Sequence, residues 1–548
     1  MFLYDTINNV NIYLLNKILK QNIKPRLTNN VPRFAGLVSL CKGCVHIQLK
    51  QLIEEKIRGI ISRKNREEQA SIKLALDLVK AGDDDEYACG KYERVSGQLP
   101  DDISSGMLYK DIVHIAWPSF VELILTQLTS MVDMMMVGKL GPWAITSVGL
   151  STQPKFLLMT MFMAMNVGAT ALVARYKGAG EQGKANLVLR QALLLTFFLS
   201  LVSSFIGYIF SEQLIRFMGA ADAETLAGGT IYLKIQMLGF VVMALTTTIT
   251  AALRGVGDSR TAMLYNLVAN VVNVIFNYAL IYGHFGFPRM EVAGASLATV
   301  IGQCVAFILA LAVILRGRRY LHLRLNDGFI PHLEAIRNIF YIGIPAMIEQ
   351  LLMRAGMIAY SKIVASLGTI AFATHQVCLS IHSLSFMNGQ AFAVSSTSLM
   401  GQSLGKKRPD MAQAYCRRTR RLGMTISIVM GVVFLLFGKD IIALYTDDIT
   451  VIEEGAKIMM LIAIIQPFQS SQFILAGALR GAGDTRATAI ISFITVVLVR
   501  PGLAMLGVYV LNLDLMGAWL AFLVDQIIRS FLILMRFNSG KWKAIKVT

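Results

Sequence analysis

The chain is predicted to be an all-α membrane protein, with twelve transmembrane helices in two parallel six-helix lobes related by pseudo-two-fold symmetry. Three observations predict it. Of its 548 residues, 55% are hydrophobic and only 16% are charged, with a mean hydropathy of +0.57, whereas soluble proteins carry about 25% charged residues. Apolar runs recur from Met107 onward, each close to the roughly 20 residues that cross a bilayer core. The second half of the chain then repeats landmarks of the first at a nearly constant offset.

Residues 1–106 read as a soluble extension, polar and helical in flavour up to the acidic run DDDE. Leu49 to Lys80 places mixed charges on an amphipathic pattern, which suits a regulatory or partner-binding helix. The competing expectation is that translation starts at or near Met107. The first 30 residues lack an uninterrupted apolar core and a small-residue cleavage site, so no cleavable signal peptide is expected. A first lobe follows at 107–325, with crossings near 112–138, 146–174, 187–210, 230–253, 262–282 and 292–315. The second lobe, 326–548, has crossings near 336–364, 370–400, 422–438, 455–478, 487–510 and 515–536. Six cysteines, at 41, 44, 89, 304, 378 and 416, are scattered and imply no disulfide framework.

Charge between the crossings sets the expected orientation. The second connection carries Arg175, Lys177 and Lys184, the sixth Arg316, Arg318 and Arg319, and the eighth Lys406, Lys407 and Arg408. Odd-numbered connections are poorer in cations. By the positive-inside rule both termini are cytoplasmic, in a multi-pass protein of the cell (inner) membrane. The net charge of +18 would suggest nucleic acid in a soluble chain. Here loops facing anionic lipid absorb it, and the expected partners are the lipid bilayer and small molecules, with no nucleic acid.

The repeat is specific. Pro118 pairs with Pro345, Glu122 with Glu349, Gly141 with Gly368 and Gly178 with Gly405, each shifted by 227. Arg254-Gly255-Val256-Gly257-Asp258-Ser259-Arg260 returns as Arg480-Gly481-Ala482-Gly483-Asp484-Thr485-Arg486, shifted by 226. Six spans per repeat make the halves parallel, a recurring design of secondary transporters that work by rocking one half against the other.

These residues resemble the multidrug and toxic compound extrusion (MATE) family, bacterial type, over about Met107 to Lys541. The resemblance rests on W-P-x(3)-E and VDMMMVGKLG in the first span, the two ALRGxGD[ST]R loops, ATHQV, and MGQSLGKKRPDMA. It implies a two-lobed exporter that exchanges cationic or amphipathic drugs or metabolites for H+ or Na+. Neither an enzymatic cofactor nor a bound metal is expected, and a monomer is. The family's first-span acid matches Asp133, its fifth-span polar pair Asn273 and Asn277, and its fourth-span cavity tyrosine Tyr232. In one branch the second residue of that pair is Asp, so Asn277 removes a titratable group. Acids that the NorM-type branch places in the seventh and tenth spans are replaced here by Met353 and Gln469, with Glu349 one turn before Met353.

Residue chemistry points the same way. A charged Asp133 near mid-bilayer costs at least about 2.5 kcal/mol, and such residues usually face a cavity. Asp133 can carry a proton, or can bind sodium with neutral oxygens from Asn273 and Asn277, which lie four apart on one helix face. Glu122 and Glu349 sit four residues after prolines that are expected to kink or open the first helix of each lobe. Their symmetry suits a structural tie, with Glu349 also a candidate for holding a cationic substrate. Gln376 and Gln469 can offer hydrogen bonds to a drug or join helices. Arg500, inside the eleventh span, needs a carbonyl or acid partner.

Other motifs exclude other functions. Gly178 to Ala185 nearly spells a phosphate loop, but Ala185 stands where Ser or Thr would hold magnesium, and no strand precedes it. Cys41-Lys42-Gly43-Cys44-Val45-His46 misses a haem attachment motif by one residue and lacks a second ligand pair for zinc. Without hydrolase or zinc-protease signatures, the chain is not expected to be an enzyme. The rival reading is a flippase for a lipid-linked saccharide, or an exporter of a narrower metabolite. A cavity for an anionic headgroup should be lined by several cations, and those counted inside spans are few: Arg354, Lys362, Arg500 and Arg529.

Overall fold

A computed structural model describes residues 104–220, 222–324, 328–446 and 448–545. The expectations for the amino-terminal extension, including Cys41, Cys44 and Cys89, fall outside the described residues. Among the described residues there are helices and no strands. The first half runs α1 (Ser105–Gly138), α2 (Pro142–Ala179), α3 (Gln182–Ile209), the short α4 (Ser211–Phe217), α5 (Ala223–Leu238), α6 (Phe240–Gly255), α7 (Ser259–Tyr282) and α8 (Glu291–Leu315). The second half runs α9 (Leu333–Ala365), α10 (Thr369–Gly405), α11 (Pro409–Ala443), α12 (Ile449–Gly481), α13 (Thr485–Ser492), α14 (Arg500–Met505) and α15 (Asp514–Asn538).

Local chemistry fixes where these helices start and turn. Ser104, Asp222, Asp258 and Asp448 cap α1, α5, α7 and α12 by accepting backbone N–H groups of the first turn. Gly257 and Gly483, equivalent in the two RGxGD loops, have φ of +84° and +88°, where any side chain would be strained. Pro118 and Pro345 lie inside α1 and α9, and neither opens its helix, since both helices continue past the proline. Pro501 is different. Around it the eleventh crossing widens into π-helical turns at Phe493–Val499 and Leu506–Val510, which absorb the missing backbone donor.

Among the described residues, ten helical segments are long and apolar enough to cross a membrane, and α5 with α6, bent by 53° at Gly239, makes an eleventh. The remaining long helix, α10, has 37 residues but a polar face, burying His375, His382, Ser385 and Asn388. It holds the eighth place in the order of twelve. Helices also outrun their apolar windows: the ninth, expected at 422–438, begins at Pro409 because Arg417 to Arg421 continue the same helix.

One apolar core fills the first half and takes in Ile339, Ile342 and Ala346 of α9; a second fills the other half around Trp519 and Phe522. The halves also meet through Leu108, Ile112 and Ile115 of α1, packed on Phe392 and Leu399 of α10 and Tyr415 of α11. Three polar contacts reinforce this seal: Ser395 donates to Ile112 O at 3.2 Å, Ser398 to Gly255 O at 2.9 Å and Tyr415 to Asp111 at 2.6 Å. Gly178 and Gly405, equivalent in the repeat, let α2 and α10 approach there. A Cβ on either would collide with the carbonyl of Gln402 or of Arg175, respectively. The halves are therefore sealed at the end that carries the start of α1 and the ends of α2 and α10.

Candidate functional site

Beyond the seal lies a cavity of about 900 Å³, lined mainly by α1, α2, α6, α7 and α8, with Gln390 and Thr397 of α10 and Arg480 of α12 on its other side. Its volume is that of a site for a drug-sized molecule. Methionine, threonine and valine side chains make much of the wall, among them Met134, Met159, Met163 and Met243. Flexible thioethers adapt to differently shaped apolar bodies.

Asp133, on α1, lines this cavity and is half-buried. The buried Asn277 side chain donates to its Oδ1. Turned to satisfy both ends of its amide, Asn273 donates to the same oxygen at 3.0 Å and accepts from Thr299 N at 3.2 Å. The four-residue spacing on α7 thus puts both amides against one carboxylate. Asn277 Oδ1 is buried with no donor facing it. Tyr232 lines the same cavity, its backbone oxygen accepting from Ser296 at 2.8 Å.

Lys155 was missed in the sequence. It lines the cavity from α2, donates to Gln236 Oε1 at 2.7 Å and interacts electrostatically with Asp133. It is the single charged residue of the crossing expected at 146–174. The cost argument applied to Asp133 would have found it.

The other charges on the wall are paired. Glu122 binds Arg254 at 2.7 Å and accepts from Asn266 at 2.5 Å. Glu349 binds Arg480 at 2.6 Å, and Thr488 and Ser492 donate to it at 3.1 and 3.2 Å. The repeat therefore closes on itself: in each half the acid after the proline holds the first arginine of the RGxGD loop. Glu349 is 1% exposed and does not line the described cavity.

The remaining candidates lie in the second half. Gln376 is exposed on α10, and Gln469 is buried on α12 with Oε1 unpartnered. Neither lines the described cavity. Arg500 finds an acid: it and Arg529 both bind the fully buried Asp525, Arg500 at 2.5 Å. No group of three or more His, Cys, Asp or Glu side chains suited to a metal occurs among the described residues.

The family model MatE matches residues 118–279 and 345–506, one copy in each half of the repeat. The chain belongs to the MatE family. This MatE protein is therefore a multi-pass membrane transporter and not an enzyme. It is 29% identical over 435 residues to the probable multidrug resistance protein NorM of Thermotoga maritima, covering 79% of this chain and 93% of that one. It is 27% identical to the uncharacterized transporter YisQ of Bacillus subtilis, covering 79% and 94%. A solved MOP superfamily transporter from Pyrococcus furiosus shares the fold, with a TM-score of 0.75 at 20% identity over 80% of this chain and 97% of that one.

Proposed function

We propose that this MatE transporter is a multidrug exporter of cationic or amphipathic compounds, driven by H+ or Na+ entering at Asp133. The observation that carries this reading is a carboxylate, held by Asn273 and Asn277, on the wall of a drug-sized apolar cavity. An open carboxylate in such a place binds either an inorganic cation or the cationic end of a cargo. Mutually exclusive use of it links the two fluxes. Coupling also requires that cargo and ion favour different conformations, since a ligand with equal affinity for both shifts nothing.

The two-lobed body supplies those conformations. With the positive-inside rule placing the basic connections in the cytoplasm, the sealed end faces inward and the cavity faces outward. Entry of the ion at Asp133 then accompanies release of cargo, and the seal must open for the next cargo to bind. The flippase reading gains little from the wall, because Arg254 and Arg480 are neutralised by Glu122 and Glu349 and, among the described residues, Lys155 is the one cation left on it without an ion pair.

The test is transport of ethidium by purified protein in proteoliposomes, under separately imposed proton and sodium gradients, with Asp133→Asn beside the parent. Gradient-driven movement lost in the variant is expected, and the effective gradient identifies the ion. Equal movement by the variant would remove Asp133 from coupling. No movement by folded parent under either gradient would favour a narrower metabolite or a lipid-linked saccharide.

A further inference from the structure

The five charged side chains on the cavity wall are Glu122, Asp133, Lys155, Arg254 and Arg480. Three of them are committed to ion pairs, Glu122 with Arg254 and Arg480 with Glu349. Asp133 and Lys155 are not. They sense each other's charge yet form no direct ion pair, and each is tied to a different neighbour: Asp133 to Asn273 and Asn277 of α7, Lys155 to Gln236 of α5. Gln236 is in turn fixed by donating to Ser296 O at 3.2 Å.

Each of the two also keeps hydrogen-bonding capacity free. Both α7 amides reach Oδ1 of Asp133, and no described residue donates to Oδ2. An ammonium has three donors, and among the described residues Gln236 Oε1 is the single acceptor for that of Lys155. A lone acidic site would favour a simple cation. An open acceptor and an open donor of opposite charge, held apart on one apolar cavity, favour a molecule that carries both charges.

From this geometry we infer that Lys155 is a specificity-determining residue, which receives the anionic group of a dipolar amphiphile while Asp133 receives its cationic group. This rests on the proposed export function and names the cargo class. A carboxylate-bearing cargo replaces the long-range attraction between Asp133 and Lys155 by two direct contacts. A cargo with only a cationic group leaves the Lys155 charge facing it across the cavity, which lowers its affinity.

The experiment compares two dyes differing by one group: a rhodamine with a free carboxylate and the methyl ester of the same dye. Full-length parent, Lys155→Met and Lys155→Arg are assayed in proteoliposomes under the effective gradient, with equilibrium binding of both dyes to purified protein as a second measurement. The ratio of carboxylate to ester in kcat/KM is expected to fall at least about tenfold in Lys155→Met, the loss of one charge-assisted hydrogen bond, and to be kept in Lys155→Arg. An unchanged ratio in Lys155→Met would overturn the assignment. So would a parent that moves the ester and refuses the carboxylate, although export itself would stand. A parent that neither binds nor moves either dye would overturn the export reading together with it. Should Lys155→Met not fold, the same binding ratio measured on Lys155→Gln decides the matter by the same outcomes.

Discussion

Gly178→Ala tests whether the glycine contact between α2 and α10 controls the seal between the halves. A Cβ at Gly178 would lie 2.7 Å from the carbonyl carbon of Gln402 and 2.8 Å from its Cα, where carbon atoms settle at about 3.5 Å or more. The obstacle is backbone within a helix, which cannot turn aside as a flexible side chain would. Relief of the carbon contacts takes a displacement of at least about 0.8 Å between α2 and α10, the carbonyl oxygen of Gln402 lies nearer still and demands more, and overpacking of this kind costs about 1–3 kcal/mol. If the contact is made only while the seal is closed, the cost falls on that state alone. The equilibrium should move about 5- to 150-fold toward the open seal. Ile115, 5% exposed within the seal, reports this when replaced by cysteine in a background without the native cysteines. In nanodiscs, the alkylation rate of Ile115→Cys should rise by that factor when Gly178→Ala is added. An unchanged rate would show that the glycine contact does not hold the seal, and the link from close helix approach to conformational balance would fail.

Three further outcomes follow from the charges. Arg480→Met strands Glu349 in the core and should cost about 3–5 kcal/mol, while the double variant Glu349→Gln with Arg480→Met should lose much less; thermal unfolding of the purified protein ranks them. Asp525→Asn removes the counter-charge of two buried arginines and should destabilise more than Arg500→Met, which leaves Asp525 paired with Arg529; the same melts decide, and the reverse order would refute the pairing argument. If the coupling ion is the proton, addition of cargo to purified protein should release protons to a weakly buffered solution, and Asp133→Asn should abolish the release, as read with a pH-sensitive dye.

The sequence by itself determined much of this protein. Apolar runs place the crossings because lipid supplies no hydrogen bonds, so every backbone group there must be satisfied within a helix. The repeat offset placed equivalent residues in equivalent positions, and the four-residue spacing of Asn273 and Asn277 put them on one face of α7. Windows of apolar residues gave poorer bounds, as at α11, since a helix does not stop where its side chains turn basic. Partners were the tertiary structure's to decide. That Glu349 serves Arg480 depends on a contact between crossings distant in the chain, and although Arg500 and Asp525, like Asp133 and Lys155, lie on consecutive crossings, only the packing of those helices decides that the first two meet and the second two stay apart. Hydropathy records what each helix puts into lipid or core, averaged over a window, and so passes over a single cation such as Lys155. Only packing fixes which of two buried charges meet, because the energy of a pair depends on its separation and on the water left around it.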